Sequence, residues 1–131
     1  MSGRLSPSDP REWLRRSQSS LLHARSKVEG VCLEDLCFDA QQAAEKAIKA
    51  VLVARKAQFP YVHDIDVLLS ALTQAGEALP VRVLEAAKLT PFAVEARYPS
   101  VAREVTDAQY DEALRLAEDV CRWAEARISA T

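Results

Sequence analysis

The sequence predicts an all-α protein, an antiparallel up-and-down bundle of four main helices plus one short helix. Three observations carry that expectation. Glycine is scarce, with 3 in 131 residues, which leaves little material for the tight turns of a hairpin-rich chain. Alanine is abundant and isoleucine rare, a composition that favours helix. Apolar residues recur in steps of three and four along the long stretches, the spacing that lines one face of a helix. Such stripes are buried only against one another, so the helices pack as a bundle. A chain of this length builds one core, and the domain is expected to span residues 1–131 with the first eight flexible.

Asp9-Pro10 opens the first helix, because Asp caps well and Pro is favoured at the first helical position. Trp13, Leu14, Ser17, Leu21, Ala24 and Val28 form its stripe. Arg11, Glu12, Arg15, Arg16, Ser19 and His23 form the opposite face, and Gly30 ends the segment. The second helix carries Leu33, Leu36, Cys37, Ala40, Ala44, Ala47, Ile48 and Val51 on one stripe. Gln41, Glu45 and Lys49 step along another face, with Glu45 placed favourably for an ion pair to Lys49. Pro60 is expected to stop this helix, and Arg55-Lys56 suits the negative end of its dipole.

A third helix is expected from Asp64 to Gln74, with Ile65, Leu68, Leu69 and Leu72 inward and Gly76 as terminator. Pro80 begins a shorter segment with Val81, Leu84 and Ala87 inward, broken by Thr90-Pro91. From Thr90 to Val105 the chain reads as irregular, punctuated by Pro91 and Pro99, with a helical turn around Phe92 to Ala96. A loop of that length is often functional. Thr106-Asp107 caps the last helix, whose stripe is Tyr110, Ala113, Leu114, Ala117, Val120, Cys121, Ala124 and Ile128.

Seventeen Lys and Arg stand against 19 Asp and Glu, for a formal net charge of −2. That balance argues against wrapping of nucleic acid over the whole surface. A local basic patch is compatible with it: Lys46, Lys49, Arg55 and Lys56 lie on the second helix and at its end, and Arg97 could join them. No apolar run reaches the roughly 18 residues of a membrane span, and the first residues lack the apolar core of a signal peptide. A cytoplasmic protein is expected. Cys32, Cys37 and Cys121 show no zinc pattern. They read as small hydrophobes, with a redox role as the alternative. There is no H-E-x-x-H and no E-x-x-H, so neither a metal nor a cofactor is expected.

Two places could carry chemistry. His63 follows Pro60-Tyr61-Val62 at a helix entrance, where it either bonds the helix start or a loop carbonyl, or binds and catalyses. His23, by contrast, reads as a solvated surface residue. Arg97-Tyr98-Pro99 suits phosphate and base, with Arg as forked donor and Tyr as stacking platform. The alternative is a loop whose Tyr covers the core and whose Arg pairs with a helix carboxylate.

Gln42-Ala43-Ala44-Glu45-Lys46-Ala47-Ile48-Lys49-Ala50 resembles the AAEKALKA helix of HEPN domains (higher eukaryotes and prokaryotes nucleotide-binding). Pro60-Tyr61-Val62-His63-Asp64-Ile65 is similar to the family's HDL entry to its third helix, and Arg97-Tyr98-Pro99 matches its RYP segment. Tyr110 and Ala113, with Ala117 a turn later, look like its closing YxxA helix. The resemblance runs in order from about Trp13 to Trp123. It implies a bundle of four main helices, a homodimer, and a minimal nucleotidyltransferase as partner, often in a toxin–antitoxin pair. Many relatives are endoribonucleases with an Arg-x(4–6)-His motif near the start of the last long helix. There His acts as acid or base while Arg stabilises phosphorane charge.

This chain departs from that motif. No His follows Arg97 or Arg103 at the required distance. Arg16 and His23 satisfy the spacing on the first helix, where the family motif is not found, and read as a chance match. The expected function is therefore a nucleotide- or nucleic-acid-binding partner of a nucleotidyltransferase. Lys49, His63, Arg97 and Tyr98 are its binding residues. An endoribonuclease using His63 and Arg97 is the alternative, and a purely structural dimer is the third reading.

Overall fold

The computed structural model describes residues 5–95 and 104–129. Its elements are α1 (Pro10–Ala24), α2 (Leu33–Ala54), α3 (Ile65–Gln74), α4 (Val81–Leu84) continued by a 3-10 turn (Glu85–Leu89), α5 (Phe92–Glu95) and α6 (Asp107–Ser129). No strand occurs among the described residues. The fold is all-helical, as the sequence predicts.

Helix α2 is the centre of the molecule and packs most extensively against α1 and α6. The helix contacts fix the directions. Gln18 bonds Glu125 and Arg25 bonds Glu118, so α1 and α6 run antiparallel. Small residues let the three axes approach. Ala40, Ala43, Ala44 and Ala47 of α2 are fully buried, as are Ala24 of α1 and Ala117 and Ala124 of α6. At their junction the Ser17 hydroxyl donates to the Ala43 carbonyl at 3.0 Å and lies 3.1 Å from Cys121 Sγ. Tyr110 donates its hydroxyl to the Ala24 carbonyl at 2.6 Å, closing the far end of α1. Ile48, Leu52, Ile65, Leu68, Leu72, Leu89, Leu116 and Val120 fill the rest of the core.

Several boundaries and faces differ from the sequence expectation. Helix α1 ends at Ala24, and Val28 is exposed rather than on its stripe. Glu12, expected on the polar face, is buried and accepts from Arg15, Arg16 and the Leu5 N–H. Helix α2 ends six residues before Pro60. Lys56 takes φ 55°, and the Lys56 and Ala57 N–H groups bond the carbonyls of Val53 and Leu52. This is the Schellman arrangement, with lysine in the left-handed position. Gly76 closes α3 in the same way at φ 92°, with Glu77 N–H on the Leu72 carbonyl.

In the α4 segment Val83, Ala86 and Leu89 are buried, while Val81 and Leu84 are exposed. The three-residue spacing is the one expected and matches the 3-10 winding of Glu85–Leu89, but the inward face is set two positions further along, where Val83, Ala86 and Leu89 meet the core. On α6, Leu116 joins the core, and Leu114 packs only against its edge.

The connection 55–64 returns along α2 and delivers His63 beside Gln41 and Glu45. Asp64 then caps α3 by accepting from the Asp66 N–H at 2.9 Å, and α3 leads back to Glu77. That carboxylate is buried and held by Arg55 at the end of α2 and by Arg127 near the end of α6, the latter at 2.8 Å. No helix among the described residues is long and apolar enough to cross a membrane.

Candidate functional site

The site is a row of polar side chains buried along α2. Gln41, Glu45 and Lys49 are one helical turn apart, which places them above one another on one face of α2. By residue type this is a polar face carrying an ordinary helix ion pair. In the structure all three are buried, with Gln41 fully so. Their cover is the 55–64 connection on one side and the start of α1 on the other.

Glu45 is the hub. Its Oε2 accepts from Lys49 Nζ at 2.8 Å, and its Oε1 accepts from Gln41 Nε2 at 2.9 Å. His63 Nδ1 lies 2.9 Å from Oε1 and 3.1 Å from Oε2. Burial pushes the Glu45 carboxyl up, but the hydrogen bonds from Lys49, Gln41 and His63 outweigh it and hold the group below the usual carboxylate range. An ionised carboxylate only accepts, so Nδ1 of His63 carries the proton on that side. The other ring nitrogen, Nε2, is then left on the side away from Glu45. The His63 side chain is 63% exposed, so that nitrogen faces outward on a ring fixed from behind. Gln41 also donates to the His63 carbonyl at 3.2 Å and accepts from Gln42 at 2.8 Å. No buried side-chain nitrogen or oxygen among the described residues lacks a partner.

Lys49 has a second neighbour. Its ammonium lies 5.8 Å from the centre of the Trp13 ring, within cation–π range. The indole is itself fixed, donating Nε1–H to the Pro7 carbonyl at 2.7 Å.

The structure thus brings Lys49 and His63 together, through Glu45. Arg97 and Tyr98 lie outside the described residues. His63 bonds neither the helix start nor a loop carbonyl with its ring: the cap of α3 is Asp64, and the imidazole bonds a carboxylate of α2. The expected basic cluster on α2 is not formed. Lys46 turns to Ser20 of α1, Lys49 to Glu45 one turn back on α2 itself, and Arg55 to Glu77 beyond α3.

Glu45 and Gln41 are the residues that sequence reasoning did not assign to a site. Residue type gives no signal for them: with Gln42 and Lys46 they read as an ordinary polar helix face, and their burial comes from segments distant in the chain. Among the described residues no group of three His, Cys, Asp or Glu side chains converges as a metal site.

Comparison with known proteins bears on what this arrangement belongs to. The HEPN domain family model matches residues 10–127. A comparison with curated proteins gave no match. Among solved structures, TT1696 from Thermus thermophilus superposes with a TM-score of 0.78 at 31% identity, over 90% of this chain and 97% of that one. ST0689, described as an archaeal HEPN homologue, gives 0.72 at 27% identity, over 92% of this chain and 98% of that one. The matched segment takes in the whole of α2 and the His63 entrance to α3. The chain belongs to the HEPN domain family.

Proposed function

We propose that this HEPN chain is a nucleotide- or nucleic-acid-binding module that works beside a minimal nucleotidyltransferase, in the manner of a toxin–antitoxin pair, and as a homodimer. The observation that carries the reading is the outward imidazole of His63, fixed on Glu45 with Lys49 behind it. One carboxylate there serves a full cation and a titratable ring. His63 is the well-exposed member of the cluster, and its outward Nε2, with Lys49 behind, is placed to meet a phosphate oxygen. Arg97 and Tyr98 complete the proposed set as forked donor and stacking platform.

Co-expression with the neighbouring nucleotidyltransferase tests the partnership. A stable complex that co-elutes at micromolar concentration is expected. Separate elution contradicts it.

A second reading follows from the same ring. An imidazole oriented by a carboxylate is equipped for proton transfer. In an endoribonuclease His63 would take the 2′-hydroxyl proton and Arg97 would stabilise the phosphorane charge. Incubation of the purified chain with tRNA or mRNA decides between the two. Cleavage lost in both His63→Ala and Arg97→Ala supports the nuclease, and intact RNA supports binding alone.

A further inference from the structure

Away from His63, the face between α1 and α2 carries two adjoining cavities that share two side chains. One, of about 420 Å³, has Leu5, Pro7 and Trp13 as its apolar wall. The other, of about 440 Å³, is polar, with Ser19, Ser20 and His23 of α1 opposite Gln42 of α2. Arg16 and Lys46 line both. Apolar and aromatic surface thus meets paired cations at a common boundary.

We propose that this cleft binds a small organic phosphate, with its flat apolar body against Trp13 and its phosphate on Arg16 and Lys46. The cations are poised for an anion. Lys46 Nζ is half-buried and donates to the neutral Ser20 hydroxyl at 2.9 Å, with no carboxylate in ion-pair range among the described residues. Burial first, and then repulsion from Arg16 and Lys49, lower its pKa in spite of Glu45 and Asp39. A partly buried ammonium in that position gains most from a phosphate oxygen. Arg16 uses its Nε on Glu12 at 2.7 Å, and its terminal nitrogens have no partner among the described residues.

Glu12 also anchors Arg15 and the Leu5 N–H, so the floor beneath Arg16 is rigid. Around the cleft Arg15, Arg16 and Lys46 face the carboxylates of Glu12 and Asp39, an excess of positive charge. Trp13 is a preformed platform, tied to Pro7 and backed by Lys49. Lys49 is committed to Glu45, so it separates the cleft from the His63 cluster, and the proposal stands independently of the role given to His63.

The test uses the Trp123→Phe protein, in which Trp13 is the remaining tryptophan. Titration with adenosine monophosphate should give a saturable change in Trp13 fluorescence that inorganic phosphate reverses. Adenosine, lacking the phosphate, should bind at least about tenfold more weakly. Lys46→Met and Arg16→Gln should each weaken adenosine monophosphate by about tenfold or more with the thermal midpoint preserved, while Lys88→Met, at an exposed position outside both sites, should leave its affinity unaltered. Absence of a saturable change at millimolar nucleotide overturns the proposal. So does adenosine binding as tightly as its phosphate, or full affinity in both cleft variants. Binding lost in His63→Ala and kept in the cleft variants removes the cleft and assigns the ligand to His63.

Discussion

Glu45 decides the behaviour of its neighbours. It is the anion for Lys49, whose side chain is only 7% exposed. Removing it leaves a buried ammonium without a counter-charge, a change that costs about 3 kcal/mol. Glu45→Ala should therefore lower the urea midpoint strongly and release His63 at the same time. The pH dependence has a definite sign. The folded-state carboxyl lies below its ordinary value of 4.5, so its contribution is complete above that pH and is lost as pH falls through the folded pKa. Urea unfolding between about pH 3 and pH 6 should show stability falling with acid, with a shallower fall in Glu45→Gln. A steeper acid loss in the variant would contradict this assignment.

The cysteines give a second residue-scale outcome. Burial pushes the Cys37 thiol up to about 12 and the Cys121 thiol up to about 11, while Cys32 is exposed. Reactivity follows the thiolate. A chromogenic disulfide reagent at about pH 8 should titrate one thiol in the native protein and all three after unfolding. The inward placement of Cys37 and Cys121 is readable from their stripes. The burial of Gln41 and Glu45 is not readable, because with Gln42 and Lys46 they form an ordinary polar face and their cover comes from segments distant in the chain.

At the scale of elements, helix ends set the site. His63 is where it is because α2 stops at Ala54 and the chain turns back before Pro60. Proline marks the region but not the end, since the stop is made by a left-handed Lys56. Such a stop carries no composition signal, unlike Gly76 at the end of α3. The left-handed region strains any residue with a Cβ. Lys56→Gly should therefore raise stability by about 1 kcal/mol in urea unfolding, and a loss of stability would show that Lys56 makes a contact worth more than the strain. Asp64 supports the site from the other side. Asp64→Ala removes the cap of α3 and should cost about 1 kcal/mol, with faster amide exchange at Ile65 and Asp66 next to His63. The α4 segment makes the same point about local geometry. Its inward residues keep the three-residue spacing of the expected face but sit two positions further along, a rotation that no residue type announces.

For the molecule as a whole, the small-residue surface of α2 is the most legible feature. Steps of three and four with many alanines imply close helix packing, and α1, α2 and α6 meet there. How the ends are fastened is not legible. Glu77 joins α2 and α6 through Arg55 and Arg127, and that junction depends on pairs far apart in the chain. Glu77→Ala should lower stability by about 2 kcal/mol, read as a lower urea midpoint with unchanged slope, while RNA affinity stays as it is. The near-neutral charge of −2 also takes a spatial form. Most described cations pair with carboxylates spread over several elements, whereas Lys46 donates to the neutral Ser20 hydroxyl.

His63 is the exposed, oriented member of a buried polar row, and its role in binding is the central claim. Fluorescence anisotropy with a labelled single-stranded RNA tests it most directly, comparing the native chain with His63→Ala at matched salt. Saturable binding by the native chain is expected, with a loss of about tenfold or more in the variant and the helical circular dichroism intact. Equal affinity in the two proteins, or no binding by the native chain, would contradict it.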